Sequence, residues 1–216
     1  IHPGETWAEN FAAIRSHALR VRDHVAGGKP FGLGLRLGAA AAEDLSETPR
    51  LEELRGFLAD HNLYVFTING FPYGPFHGEP VKANVYSPDW RNPARRDYTI
   101  RLADVLAALL PEGVAGSIST VPIAYKPAVE SDQDLWRSVE MIAVVAAHLD
   151  SLRERTGRDI CLALEPEPDC LVEDTTSAIR FLRGPLIWAG AEYLHCRSDL
   201  RLDAADALLR RHVGIC

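Results

Sequence analysis

Leu63-Tyr-Val-Phe-Thr-Ile68 runs directly into Asn69-Gly-Phe-Pro-Tyr-Gly-Pro-Phe-His-Gly78. The first stretch is a short, continuous apolar run, the pattern of a buried strand. The second is a loop whose glycines and prolines impose an unusual backbone path. Phe71, Tyr73 and Phe76 offer apolar walls, and Asn69 and His77 offer polar tips. A loop that only connects would be more polar. The pair therefore predicts the lip of a small-molecule pocket at the C-terminal end of a strand. The alternative is a satellite apolar cluster that holds one loop against the body.

The same alternation extends along the chain. Apolar residues at Trp7, Phe11, Ile14, Ala18, Val21 and Val25 have the spacing of an amphipathic helix over Thr6 to Val25. A strand over Phe31 to Leu37 follows. Ala39 to Asp60 reads as helix, broken near Thr48-Pro49, with Thr48 as the expected cap of the second part. After the strand Leu63 to Ile68 come a helix over Asn92 to Leu110 and a strand over Gly116 to Pro122. A long helix over Ser131 to Thr156 precedes a strand over Ile160 to Glu165. Helices over Thr175 to Leu182 and Leu202 to Arg211 lead to a last strand that begins at His212.

Strands separated by helices imply parallel pairing with right-handed crossovers. No GxGxxG follows a first strand and no GxxxxGK[ST] is present, which disfavours a dinucleotide fold and a P-loop. The expected class is α/β, a (β/α)8 TIM barrel forming a single domain over residues 1–216. Only about five strands are visible where a closed barrel needs eight. Ile1-His-Pro-Gly4 reads as the exit of a strand, and His212-Val-Gly-Ile-Cys216 reads as the start of another. The C-terminal strands are therefore expected to be missing from this chain, with the domain incomplete at both ends.

Composition narrows the function. The chain has 216 residues, 47% hydrophobic and 25% charged, with a net charge of −7. That balance argues against a general nucleic-acid binder, which carries a basic patch. No apolar run has the length of a membrane span. The four cysteines, Cys161, Cys170, Cys196 and Cys216, form no CxxC pair, so a zinc knuckle is disfavoured and reduced thiols in a cytoplasmic protein are the expectation.

In a barrel, residues just past each strand share the face that carries the site. Counting the strand exit at the N-terminus as the first, the exits supply His2 and Glu5, then Arg36, then Asn69, Tyr73 and His77. Ser119, Thr120, Tyr125 and Lys126 follow, and Glu165 and Glu167 come last. Leu164-Glu-Pro-Glu-Pro-Asp169 is the sharpest of these. Alternation puts Cys161, Ala163 and Glu165 on one face, small residues beneath a carboxylate, with Pro166 and Pro168 stiffening the turn. Such a carboxylate suits a divalent-metal ligand or a base beside a carbinol carbon. Glu165 and Glu167 also read as solvated loop carboxylates, and His2 and His77 as hydrogen-bonded loop histidines. Lys126 reads as a surface lysine and Trp90 as a structural anchor.

Taken together, His2-Pro-Gly-Glu5, Asn69 to Gly78, Val81-Lys82, Tyr86-Ser-Pro-Asp-Trp90, Gly116-Ser-Ile-Ser-Thr120 and Leu164-Glu-Pro-Glu-Pro168 resemble the EboE-like metabolite-traffic proteins of bacteria. That group belongs to the xylose-isomerase-like TIM-barrel superfamily. The resemblance covers nearly the whole chain in order. Family members are longer, continuing past the segment that matches His212 to Cys216 into further strands. The resemblance implies sugar isomerase or epimerase chemistry with a divalent metal (Mn, Mg, Zn or Co), and it matches Glu165 to the metal-ligating Glu of the fifth strand exit. The other usual ligands come from later strands.

The leading expectation is a metal-dependent isomerase or epimerase acting on a small sugar- or polyol-like metabolite of a secondary-metabolite pathway. Glu165 is the expected metal ligand and catalytic residue. His2, Asn69, Phe71, Tyr73, His77 and Glu167 are the expected substrate contacts. One rival is a non-catalytic binding or escort protein linked to metabolite transport. Another is an endonuclease IV-like phosphodiesterase, which would need a basic groove and clustered histidines.

Overall fold

The computed structural model of the chain describes residues 4–74 and 85–216. His2, Phe76, His77 and Lys82 lie outside the described residues. Phe31–Arg36 (β1), Leu63–Asn69 (β2), Gly116–Thr120 (β3), Ile160–Leu164 (β4) and Val213–Ile215 (β5) make one sheet in the order β1-β2-β3-β4-β5. Every neighbouring pair is parallel. Each strand lies beside its predecessor in sequence, as successive strands do in a (β/α)8 barrel and as a doubly wound sheet does not. The fold is α/β, a partial barrel of five strands among the described residues.

The helices between strands begin and end where local chemistry dictates. Trp7–Ala13 (α1) and Leu19–Val25 (α2) join through a π-helical turn, Ile14–Ala18, into one rod. Thr6 opens it with a capping box: its Oγ accepts from the Glu9 N–H at 3.3 Å, and the Glu9 carboxylate accepts from the Thr6 N–H at 3.0 Å. Ala39–Leu45 (α3) and Thr48–Asp60 (α4) follow β1. The expected cap at Thr48 is displaced by one residue. Glu47 holds the N-cap position, and Thr48 is already helical because Pro49 fits the first turn. Pro93–Leu109 (α5) is capped by Asn92, whose side chain accepts from the Ala94 N–H at 3.0 Å. Asp132–Thr156 (α6) ends at Gly157, where φ is +70°.

The helical pattern beyond β4 runs further than the sequence reading took it. Thr175–Phe181 (α7) continues through a π turn at Leu182–Leu186 into Ile187–Arg197 (α8), followed by Leu202–His212 (α9). Gly184-Pro185 reads as a breaker, and Gly184 does leave helical geometry at φ −104°, ψ −105°. The chain resumes its helix because α8 has somewhere to bury Gly190, Ala191 and Leu194. A Cβ at Gly190 would stand 3.1 Å from Leu209 and 3.5 Å from Val139, so α8 approaches both α9 and α6 closely.

The two faces of the sheet differ. Leu35, Val65, Ile68, Ile118, Leu162 and Leu164 are buried beneath the helices, none more than 5% exposed. The other face carries mostly small residues: Gly32, Gly34, Ser117, Ser119, Cys161 and Ala163. Tyr64 and Phe66 share it, since a Cβ on Gly32 would come within 2.9 and 3.0 Å of their rings. A register shift between Leu33 and Gly34 then changes the phase of β2. Beyond it, Thr67 rather than Phe66 lies opposite Gly34, and its hydroxyl reaches the Ser117 hydroxyl at 2.8 Å. This one-residue irregularity brings Asn69 to the small-residue face; uninterrupted alternation would have brought Ile68 there.

Gly70 is where the chain leaves β2. Its N–H donates to the Ser119 carbonyl at 3.0 Å, and a Cβ there would meet Leu102 at 2.6 Å and that carbonyl at 3.0 Å. Gly70→Ala is expected to lower stability by about 1–3 kcal/mol through overpacking against backbone that cannot yield. Urea unfolding checks this.

Candidate functional site

A pocket of about 280 Å³ opens at the C-terminal ends of the strands. Its polar lining is Arg36, the last residue of β1, Asn69, the last of β2, and Glu165 and Glu167 just beyond β4. Phe71, Pro72, Val85 and Tyr86 supply the apolar lining. Four residues expected from the sequence are thus brought together: Asn69, Phe71, Glu165 and Glu167. Tyr73 goes elsewhere, packing edge-on against Tyr98 with ring centroids 5.1 Å apart. His2 and His77 lie outside the described residues. Another cavity, of about 340 Å³, sits between β1 and the first helical rod. Its lining is largely aliphatic and, among the described residues, has no carboxylate, so the strand-end pocket is the candidate site.

Backbone pairing aims the two glutamates. The Glu165 N–H donates to the Thr120 carbonyl at 3.0 Å, extending the β3–β4 ladder by one residue and continuing the alternation through Cys161 and Ala163. The Glu167 N–H donates to the Val172 carbonyl at 3.2 Å, and its own carbonyl accepts from the Cys170 N–H at 3.2 Å. Asp169 turns this loop at φ +61°. The loop is pinned to the exit of β3 by the Lys126 N–H on the Asp169 carbonyl at 2.8 Å and the Leu171 N–H on the Ala124 carbonyl at 3.0 Å. Lys126 itself pairs with Glu173 and serves as a tether outside the pocket. Among the described residues, neither the Glu165 nor the Glu167 carboxylate has a hydrogen-bond or ion-pair partner.

The opposite wall is held by arginines. Arg36 donates to the Gly4 carbonyl at 3.0 Å and the Gly74 carbonyl at 3.2 Å, and pairs with Glu5 at 3.3 Å. Arg95, from the first turn of α5, is wholly buried, with no ion-pair partner among the described residues. It donates to the carbonyls of Gly70 at 2.7 Å, Phe71 at 3.1 Å and Pro88 at 2.7 Å. Tyr73 and Tyr98 lie 5.7 and 5.5 Å from its guanidinium carbon. Burial pulls its pKa down to about 10, which still leaves it charged at neutral pH. Asn69 closes a local turn, its Oδ1 accepting from the Phe71 N–H at 3.1 Å, which leaves its amide NH2 to donate elsewhere.

Tyr86 completes the apolar side. Its ring stacks on Tyr125, 6° from parallel with centroids 5.8 Å apart, and meets Phe71 at 5.8 Å. Burial pushes its phenol up to about 12, helped by the neighbouring Cys170 thiol and the charge of Glu167. Burial likewise pushes the Cys170 thiol up to about 11. Trp90 is buried at 0% exposure, as an anchor should be, and its backbone N–H donates to the Ile123 carbonyl at 3.1 Å. Nothing local in the sequence marks Arg95, Val85 or Tyr86 as site residues. Arg95 sits among ordinary charges in Pro93-Ala-Arg-Arg-Asp97, and only the placement of α5 distinguishes it from Arg96.

No family model matches the chain, and no curated protein matches it. Among solved structures it is similar to one described as IolI protein with a binding zinc atom, with a TM-score of 0.45 and 15% identity. The match covers 78% of this chain and 54% of that one, so the chain spans about half the length of that structure. Among the described residues no helix is long and apolar enough to cross a membrane.

Two outcomes follow from this geometry. Arg95→Met removes the donors of three carbonyls and is expected to cost about 2–4 kcal/mol in thermal or urea unfolding, since orphaned buried acceptors lose about 1–3 kcal/mol each and can partly relax. In alkali, Cys170, Tyr86 and Tyr98 stay neutral in the native state while their unfolded counterparts ionise from about 9 to 10 upward. Stability is therefore retained below pH 9 and falls as pH rises from there towards 12. A urea midpoint that stays constant across that range would contradict these environments.

Proposed function

We propose that this pocket binds a small sugar- or polyol-like metabolite, and that Glu165 moves a proton on it in an isomerase- or epimerase-type reaction. The observation that carries this reading is the convergence of Asn69, Glu165 and Glu167 with aromatic walls at the C-terminal ends of parallel strands, where barrels hold their sites. The volume lies near the lower end of the ~300–1,000 Å³ usual for small-molecule pockets. Asn69 donates its amide NH2 to a substrate oxygen. Glu165, stiffly placed beside a small-residue face, takes a proton from a carbon next to a carbonyl and returns it to that carbon or its neighbour. Phe71 and Tyr86 exclude water from the apolar edge of a ring.

A divalent metal is the remaining element of the expected chemistry. Among the described residues, no group of three His, Cys, Asp or Glu side chains is close enough to hold one. These residues do not by themselves complete a metal centre, so the base role of Glu165 is drawn without one. The alternative is a binding or escort protein, which needs the aromatic walls of this pocket but no metal.

Glu165→Gln in the full-length protein, with elemental analysis and a screen of sugars and polyols, separates the two readings. Under the catalytic reading, a converted substrate is found and the variant loses turnover by about 10²-fold or more while keeping its melting temperature. Binding without conversion in both proteins would establish the escort reading. Full activity in the variant would remove Glu165 from the chemistry.

A further inference from the structure

The charges around the pocket do not balance. Glu165 and Glu167 both line it, and among the described residues neither meets a cation or a hydrogen-bond donor. Arg36 lines it too, but its charge is offset by Glu5 at 3.3 Å. Among the described residues the pocket is therefore left with two carboxylates that no cation pairs, beside the aromatic rings of Phe71 and Tyr86. Burial first, then Cys170 and the Glu167 charge, hold the neighbouring Tyr86 phenol in its neutral form. Partly buried carboxylates are costly to leave unpaired, and a bound cation is what removes that cost.

We infer that the metabolite taken by this pocket carries a protonated amine, seated between the Glu165 and Glu167 carboxylates beside the aromatic wall. The inference rests on the pocket reading above and narrows its substrate class to an amino-sugar or amino-polyol. A primary ammonium brings three donors to two acceptor-only carboxylates, and its charge is attracted to aromatic rings. A divalent metal would demand several more oxygen or nitrogen ligands, which the described residues do not bring together. Arg36, fixed at the end of β1, borders the neutral, hydroxyl-bearing end of the ligand.

Matched pairs of probes test this on the full-length protein: glucosamine against glucose, and an inosamine against myo-inositol. Dissociation constants are measured by NMR titration at pH 6.5. The amine of at least one pair is expected to bind about 10- to 100-fold more tightly, the range for one charge-assisted contact. That preference should fall to within about 3-fold in a Glu165→Gln/Glu167→Gln variant, which keeps the shape of the pocket. Equal binding within every pair would overturn the amine inference and leave the pocket reading standing, provided Asn69→Ala weakens both members. Binding by no probe would overturn both. A preference that survives in the double variant would place the amine away from these glutamates and overturn the assignment. Tight Mn²⁺ binding that depends on both glutamates, without an amine preference, would overturn it in favour of a metal.

Discussion

A buried guanidinium bound by three backbone carbonyls holds the candidate site in place. Arg95 is carried in by the first turn of α5 and donates to carbonyls on both segments that wall the pocket, Gly70–Phe71 and Pro88. Desolvating such a charge is expensive. Three carbonyl dipoles and the rings of Tyr73 and Tyr98 offset that cost. The arrangement has a clear logic. The exit of β2 turns through glycine and proline and cannot make its own ladder, so its carbonyls need donors from elsewhere. A neutral side chain could satisfy one of them, whereas the fork of an arginine reaches several at once. The position of Phe71 and the path of the chain after Asn69 both follow from this contact.

Much of the fold was legible because its signals are local. The strands were short apolar runs and the helices had their periodicity. Both lie where expected, within a residue or two at most ends. At Thr48 the cap lies one residue earlier because Pro49 fits inside a first turn, a local effect, whereas beyond Leu182 the helix resumes because α8 has Leu209 and Val139 to pack against. Of the candidate site, the carboxylates and Asn69 were legible because strand exits can be counted along a sequence. Arg95 and Tyr86 were not, because their roles depend on which helix crosses which loop. The bulge at Leu33/Gly34 was also invisible, although it decides whether Asn69 or Ile68 meets the pocket.

The backbone near the site is held in unusual conformations on both sides. Ile123, a β-branched residue, sits at φ +76° with no exposed surface, and Asp169 at φ +61°. Such conformations cost on the order of 1–3 kcal/mol and persist only where the surroundings enforce them. Here the surroundings can be named. The Ile123 carbonyl accepts from Trp90, and the Asp169 carbonyl accepts from Lys126. The strained turns after β3 and β4 are thereby tied to each other and to the segment that carries Tyr86. Rigidity at these exits is what a site needs if its carboxylates are to keep one geometry.

The acids of this region fall into two groups. Glu5 pairs with Arg36 and Glu173 with Lys126, each fastening one piece of chain to another, and Asp89 pairs with Arg91 within its own turn. Glu165 and Glu167 fasten nothing through their side chains among the described residues. Their loop is secured by backbone hydrogen bonds alone, so the carboxylates add no structural contact that the fold depends on. A protein that places charges at the rigid ends of its strands and withholds partners from them forgoes stability there. Exceptions of this kind to local rules are expected at functional sites rather than in a packed core.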